Sequence, residues 1–152
     1  MFGKRAHRHA RIGLVCVVAI ALPVAGCGKS ESTASSGSEK AAFIERANAI
    51  CEARSADIQA NAHPYLQAKK MSLYIKAIKI IRHAVAPGLE REVLDIRALE
   101  MPEEDKGRIE AILTATEASV DRAFSHPTSN ANPYAKSEAL AAKYGLHACG
   151  AP

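Results

Sequence analysis

Leu73-Tyr-Ile-Lys-Ala-Ile-Lys-Ile-Ile-Arg-His-Ala-Val-Ala-Pro-Gly-Leu-Glu-Arg-Glu-Val-Leu-Asp-Ile-Arg-Ala-Leu99 is the stretch that decides the fold. Leu73, Ala77, Ile80, Ile81 and Ala84 recur at three- and four-residue steps, and Tyr74, Ile78 and Val85 widen the stripe. The same period resumes after Pro87-Gly88 with Leu89, Val93, Ile96 and Leu99. That spacing places apolar side chains on one face of an α-helix, and no run alternates with the period of two that a half-buried strand requires. Proline inside a helical pattern ends or kinks the helix. Two helices, or one kinked helix over about residues 66–99, fit the pattern. The kink is preferred because no cluster of polar turn residues accompanies Pro87.

Outward from this stretch the chain repeats the helical theme. Upstream, Phe43, Ala47, Ile50, Cys51 and Ile58, with Ile44 beside them, predict a helix over about 39–60. Ser38 is its expected N-cap, and Asn61-Ala-His-Pro64 its expected stop. Downstream, Pro102 suits a first helical position, and Glu103, Glu104 and Asp105 complement the positive end of a helix. Ile109, Ile112, Leu113, Thr116, Val120, Ala123 and Phe124 carry that helix to about residue 125. A polar loop, His126 to Asn132, leads to a short helix that opens on Pro133 and runs to Tyr144. Gly145 stands where a left-handed residue closes a helix, and Leu146 where the accompanying apolar contact falls. The expectation is an all-α domain over residues 39–152, a small bundle of three main helices plus a short C-terminal helix.

The first 38 residues have a different character. Lys4, Arg5, Arg8 and Arg11 precede an apolar run from Ile12 to Val24. That run is too short for a membrane-spanning helix of about 20 residues and has the form of a secretory leader, residues 1–26. It ends in Val24-Ala25-Gly26-Cys27, an apolar residue, two small residues and a cysteine. This pattern resembles the lipobox of bacterial lipoprotein precursors. The resemblance implies a thioether-linked diacylglyceryl group on Cys27 and cleavage just before it. The Ser- and Gly-rich segment that follows reads as a flexible tether, so that residues 27–38 form the lipidated cysteine and its spacer.

Removal of the leader changes the charge balance. Four of the 20 Lys and Arg residues precede Cys27, which leaves 16 against the 16 Asp and Glu. A neutral mature chain has no excess positive charge with which to neutralise phosphates, which argues against a nucleic-acid partner. Cys16 departs with the leader and Cys27 is committed to lipid. In an oxidising compartment the two cysteines that remain, Cys51 and Cys149, read as one disulfide. The competing possibility is a metal site of Cys51, His147 and Cys149, but a closed zinc site takes four ligands and no Cys-x-x-Cys occurs. The chain also lacks Gly-x-Ser-x-Gly, His-Glu-x-x-His and a glycine-rich phosphate loop. The expectation is therefore a protein with no catalytic residues, no cofactor and no metal.

A second resemblance rests on Phe43-Ile44 with Ile50-Cys51, on Ala86-Pro87-Gly88-Leu89-Glu90 with Leu99 and Pro102, and on Tyr144-Gly145-Leu146 with Cys149-Gly150. Together these resemble a group of small helical lipoproteins and secreted proteins of Gram-positive bacteria that have no assigned activity. The likeness implies an exported helical domain with a paired cysteine and supplies no mechanism. Lys76, Lys79 and Arg82 give the second helix a basic side suited to anionic headgroups or wall polymers. The expected function is a non-enzymatic envelope module on the outer face of the cell membrane, held there by lipid on Cys27, with an envelope protein or polymer as partner. The alternative is an extracytoplasmic carrier or sensor for a small ligand held between helices.

Overall fold

The computed structural model describes residues 31–150, with side-chain surroundings from residue 36 onward. The leader and Cys27 lie outside the described residues. Among the described residues every regular element is helical. They are α1 (Glu31–Leu66), α2 (Leu73–Ile80), a π turn (Ile81–Val85), α3 (Ala86–Arg97), a 3₁₀ turn (Glu103–Asp105), α4 (Lys106–Ser125) and α5 (Ala135–Tyr144). Taking α2, the π turn and α3 as one continuous run, the described residues form the expected all-α bundle of three long helices and a short fourth.

α1 is longer than its apolar stripe predicts. It begins at Glu31 rather than near residue 39, so residues 31–38 continue the helix instead of forming a flexible spacer. Ser and Gly are poorer helix formers than Ala by less than about 1 kcal/mol each, and a helix already nucleated adds residues at one hydrogen bond apiece. At the other end α1 passes through Pro64, and Gln67 N–H still reaches the His63 carbonyl at 3.1 Å. Tyr65 and Leu66 therefore close α1 rather than opening the second helix. The turn falls at residues 67–72. There the Ser72 hydroxyl accepts the Ile75 N–H at 3.4 Å and caps α2.

The run through Pro87 stays helical. Ile80, Ile81, Val85 and Ala86 all have right-handed helical dihedrals, and Ala86 N–H bonds the Ile81 carbonyl five residues back. In a regular α-helix the Pro87 ring would strike the His83 carbonyl, and Pro87 has no N–H to offer it. The wider turn moves that carbonyl aside, so the helix continues as the apolar stripe on both sides requires.

α1 packs along the π turn and α3, α4 packs on α3, and α5 packs on α4. One core cluster joins Phe43, Ala47 and Cys51 of α1 to Val93 and Ile96, Ile109, Ile112 and Leu113, Ala141 and Tyr144, and to Leu146 and Cys149 of the tail. A second joins Ile58 and Ala62 to Ala84, Val85 and Leu89. Gly88 sits where α3 meets α1. A Cβ built there would lie 2.2 Å from Ile58 Cγ1. Gly88→Ala should lower stability by about 1–3 kcal/mol through overpacking. Urea unfolding checks this, and Gly88→Ala with Ile58→Ala should be less costly than the sum of the two single changes.

The tail closes as the sequence indicates. Gly145 is left-handed at φ +105°, Leu146 N–H bonds the Ala141 carbonyl at 2.9 Å, and Leu146 is fully buried. Asn48 of α1 then clamps the returning chain. Its Nδ2 donates to the Gly145 carbonyl at 3.1 Å, and its Oδ1 accepts the Ala148 N–H at 3.0 Å. One helical turn further along α1, Cys51 is bonded to Cys149, with Cα atoms 5.1 Å apart.

Candidate functional site

The residues expected to meet an anionic surface come from α2 and the π turn, and the structure gives them unequal roles. Lys76 and Lys79 are half-buried. Lys76 Nζ donates to the Leu66 carbonyl at 3.2 Å, satisfying one of the free carbonyls at the end of α1. Lys79 Nζ lies 6.0 Å from the centroid of the Tyr65 ring, which in turn stacks on His83 at 5.7 Å. Arg82 is exposed. Two of the three expected cations thus also hold the end of α1 against the second helical run.

Around them lies a surface that periodicity did not indicate. Leu73 and Tyr74, expected in the core stripe, are 72% and 56% exposed, and α2 contains no buried residue. Leu66 at 56% and Ile75 at 45% lie beside them. Four of the five large exposed apolar residues among those described thus fall within ten positions of chain. Lys69 and Lys70 of the connecting turn are exposed among them, and a hollow of about 530 Å³ is lined by Ala68 to Ser72 and Ile75.

The electrostatics of this end follow from the sequence. No Asp or Glu occurs between Asp57 and Glu90, while Lys69, Lys70, Lys76, Lys79 and Arg82 all do. Every ion pair among the described residues lies outside that segment. Residues 27–152, with 16 Lys and Arg against 16 Asp and Glu, are therefore polarised, with uncompensated cations at the α1–α2 turn. The acid-free run was the signal available in the sequence. Counting charge over the whole chain conceals it.

Two further clusters bear on chemistry. Asp105, expected to complement the dipole at a helix start, is buried. It accepts the Tyr144 hydroxyl at 3.0 Å and pairs with Lys40 at 3.0 Å and Arg108 at 3.1 Å. Burial raises its pKa, but Lys40, Tyr144 and Arg108 outweigh burial and hold the carboxyl below the usual range. Burial, followed by the adjoining Asp105, pushes the Tyr144 phenol up. Lys40, Arg108, Tyr144 and Lys143 border a cleft of about 420 Å³ with Ile112 and Leu140 on its apolar side.

The second cluster surrounds the disulfide. A carboxylate oxygen of Glu92 and the sulfurs of Cys51 and Cys149 lie within 4.8 Å of one another. His147, considered as a ligand from the sequence, is exposed instead. While the two sulfurs are bonded to each other they offer no thiolate, so this trio lacks the donor set that zinc takes. Glu92 is 4% exposed, and burial raises its pKa to about 7 against the opposing pull of Arg54. Its position was legible, since Glu92 stands three residues after Leu89 and four before Ile96 on the buried stripe.

No family model, curated protein or solved structure matches the chain.

Proposed function

We propose that this protein is a non-enzymatic lipoprotein of the bacterial cell envelope, held at the extracytoplasmic face of the membrane by lipid on Cys27, whose helical domain binds another envelope component through its basic, apolar end. The observation that carries the binding part is the coincidence at the α1–α2 turn of unpaired cations with exposed Leu66, Leu73, Tyr74 and Ile75. Exposed apolar groups rimmed by charge mark interaction surfaces. The anchoring part rests on the basic and apolar leader and on Val24-Ala25-Gly26-Cys27. A disulfide between Cys51 and Cys149 suits an oxidising compartment. No helix among the described residues is long and apolar enough to cross a membrane.

Cys27→Ser should release the protein from the membrane fraction or leave it as uncut precursor, whereas two acyl chains on one cysteine hold the wild type stably. Fractionation with mass analysis of the mature N-terminus checks this. A wild type found in the soluble fraction with an unmodified Cys27 would refute the anchor. For the binding part, a photo-crosslinker at position 70 in intact cells should capture an envelope component, and one at position 136 should not. Equal capture at both positions would refute a role for this end.

A second function, carriage or sensing of a small anionic ligand, is favoured by the Lys40, Arg108 and Lys143 cleft. It requires that Lys143→Ala weaken ligand binding while leaving the crosslinking at position 70 intact.

A further inference from the structure

We propose that the end of the domain formed by residues 66–76 inserts into the surface of a bilayer containing anionic phospholipid, giving the protein a second membrane contact at the far end of α1 from Cys27. The proposal rests on the lipid-anchored function above and names the component that the basic end binds.

Three features select a lipid surface over other occupants. The cations Lys69, Lys70, Lys76, Lys79 and Arg82 have no carboxylate partner, so this end attracts negative charge. Two copies meeting here would set like charges against each other, which disfavours self-association. A hydrophilic anionic polymer would satisfy the cations but leave Leu66, Leu73, Tyr74 and Ile75 in water. A headgroup layer satisfies both sets at once. Lysine stems lie along apolar surface with their ammonium groups among phosphates, and the tyrosine ring suits the boundary between water and hydrocarbon.

The geometry of α1 adds a consequence. Its 36 residues span about 54 Å at 1.5 Å per residue. Four residue steps from Cys27 to Glu31 reach at most about 14 Å. With lipid near one end of α1 and a headgroup contact at the other, the long helix lies close to the membrane plane. The second contact therefore sets orientation, while the acyl chains secure retention.

The test uses the mature chain carrying Cys27→Ser, so that no acyl group contributes. The sequence contains no tryptophan, so Tyr74→Trp places a single reporter in the surface. Vesicles of phosphatidylcholine alone are compared with vesicles of phosphatidylcholine mixed with phosphatidylglycerol. The expected result is co-sedimentation with the mixed vesicles only, weakened by salt, with a blue shift of the reporter and quenching by brominated acyl chains. Lys69→Ala with Lys70→Ala should weaken binding about thirtyfold, from two surface cations removed. Leu73→Ser with Ile75→Ser should abolish the blue shift. Lys136→Ala should change neither. All these positions are exposed, and unchanged helical circular dichroism confirms that each variant folds.

Absence of any preference for phosphatidylglycerol, binding without a change in the reporter's emission, or equal loss from Lys136→Ala would each overturn the proposal. Binding of a soluble polyphosphate in place of vesicles would overturn it too, yet leave the basic end as a docking site for an envelope polymer. An unlipidated Cys27 in cells would refute the anchored function itself, independently of the vesicle result.

Discussion

Replacing Cys51 and Cys149 by alanine should lower the unfolding free energy by about 2–5 kcal/mol. The bond closes a loop between residues 98 positions apart. Chain entropy assigns a loop of that size on the order of 4–5 kcal/mol, most of it through restriction of the unfolded chain. The native tail has other attachments. Asn48 holds Gly145 and Ala148, Leu146 is fully buried, and the Ser137 hydroxyl is shared between the Tyr134 and Gly150 carbonyls. The variant should therefore keep its helices and its docked tail while melting at lower temperature. Urea unfolding of the mature chain with Cys27→Ser, with and without reductant, provides the measurement. Reductant should destabilise the parent and leave the double alanine variant unchanged. Two reactive thiols in the unreduced, denatured parent, or a loss below about 1 kcal/mol, would count against this account.

Glu92→Gln should stabilise the domain at neutral and alkaline pH by up to about 3 kcal/mol. The carboxyl lies in the core beside the disulfide, and its pKa rises from 4.5 to about 7, because burial penalises the charge more than Arg54 relieves it. Between those two values the folded state binds the proton more tightly than the unfolded state. Stability therefore falls as pH rises from about 4.5 through about 7, then levels off with Glu92 ionised in the core. Glutamine keeps the shape and cannot ionise, so the variant should match the parent near pH 4.5 and exceed it at pH 8. Asp105 acts in the opposite direction and in a lower window. Its pKa is depressed, so its contribution is present above 3.8 and is lost as pH falls through its folded value. Unfolding free energies from about pH 2 to pH 9 separate the two groups. Parallel profiles for the parent and Glu92→Gln would show that Glu92 does not titrate across the transition.

Periodicity reached most of the core because burial along a helix follows its turn. Phe43, Ala47, Cys51 and Ile58, then Leu89, Val93 and Ile96, then Ile109, Ile112, Leu113, Thr116 and Ala123 are all buried as their spacing indicates. Periodicity failed at the first turn of α2. Leu73 and Tyr74 lie on the helical stripe, yet α2 packs chiefly on α1 and the π turn, and the two side chains stay exposed. A stripe states which side of a helix faces inward. It does not state which positions on that side a neighbouring helix covers, and those left bare form the candidate docking surface.

Whether Pro87 ends or bends the helix stayed open in the sequence, and the π turn at Ile81–Val85 decides it. The cysteine pair and the Gly145 turn were determined by the sequence alone. Each depends on local stereochemistry or on elimination among few residues. The acid-free run from 58 to 89 was equally present in the sequence. The tertiary structure decided where charge is balanced and where it is not. Asp105, which reads as one of three acids at a helix start, becomes a buried anchor only because Lys40 and Tyr144 arrive from distant positions. Glu92 acquires its raised pKa only because α1 and the C-terminal tail close over it beside the disulfide. Both outcomes depend on desolvation, which is set by the elements packed around a group and not by the group's own neighbours in the chain.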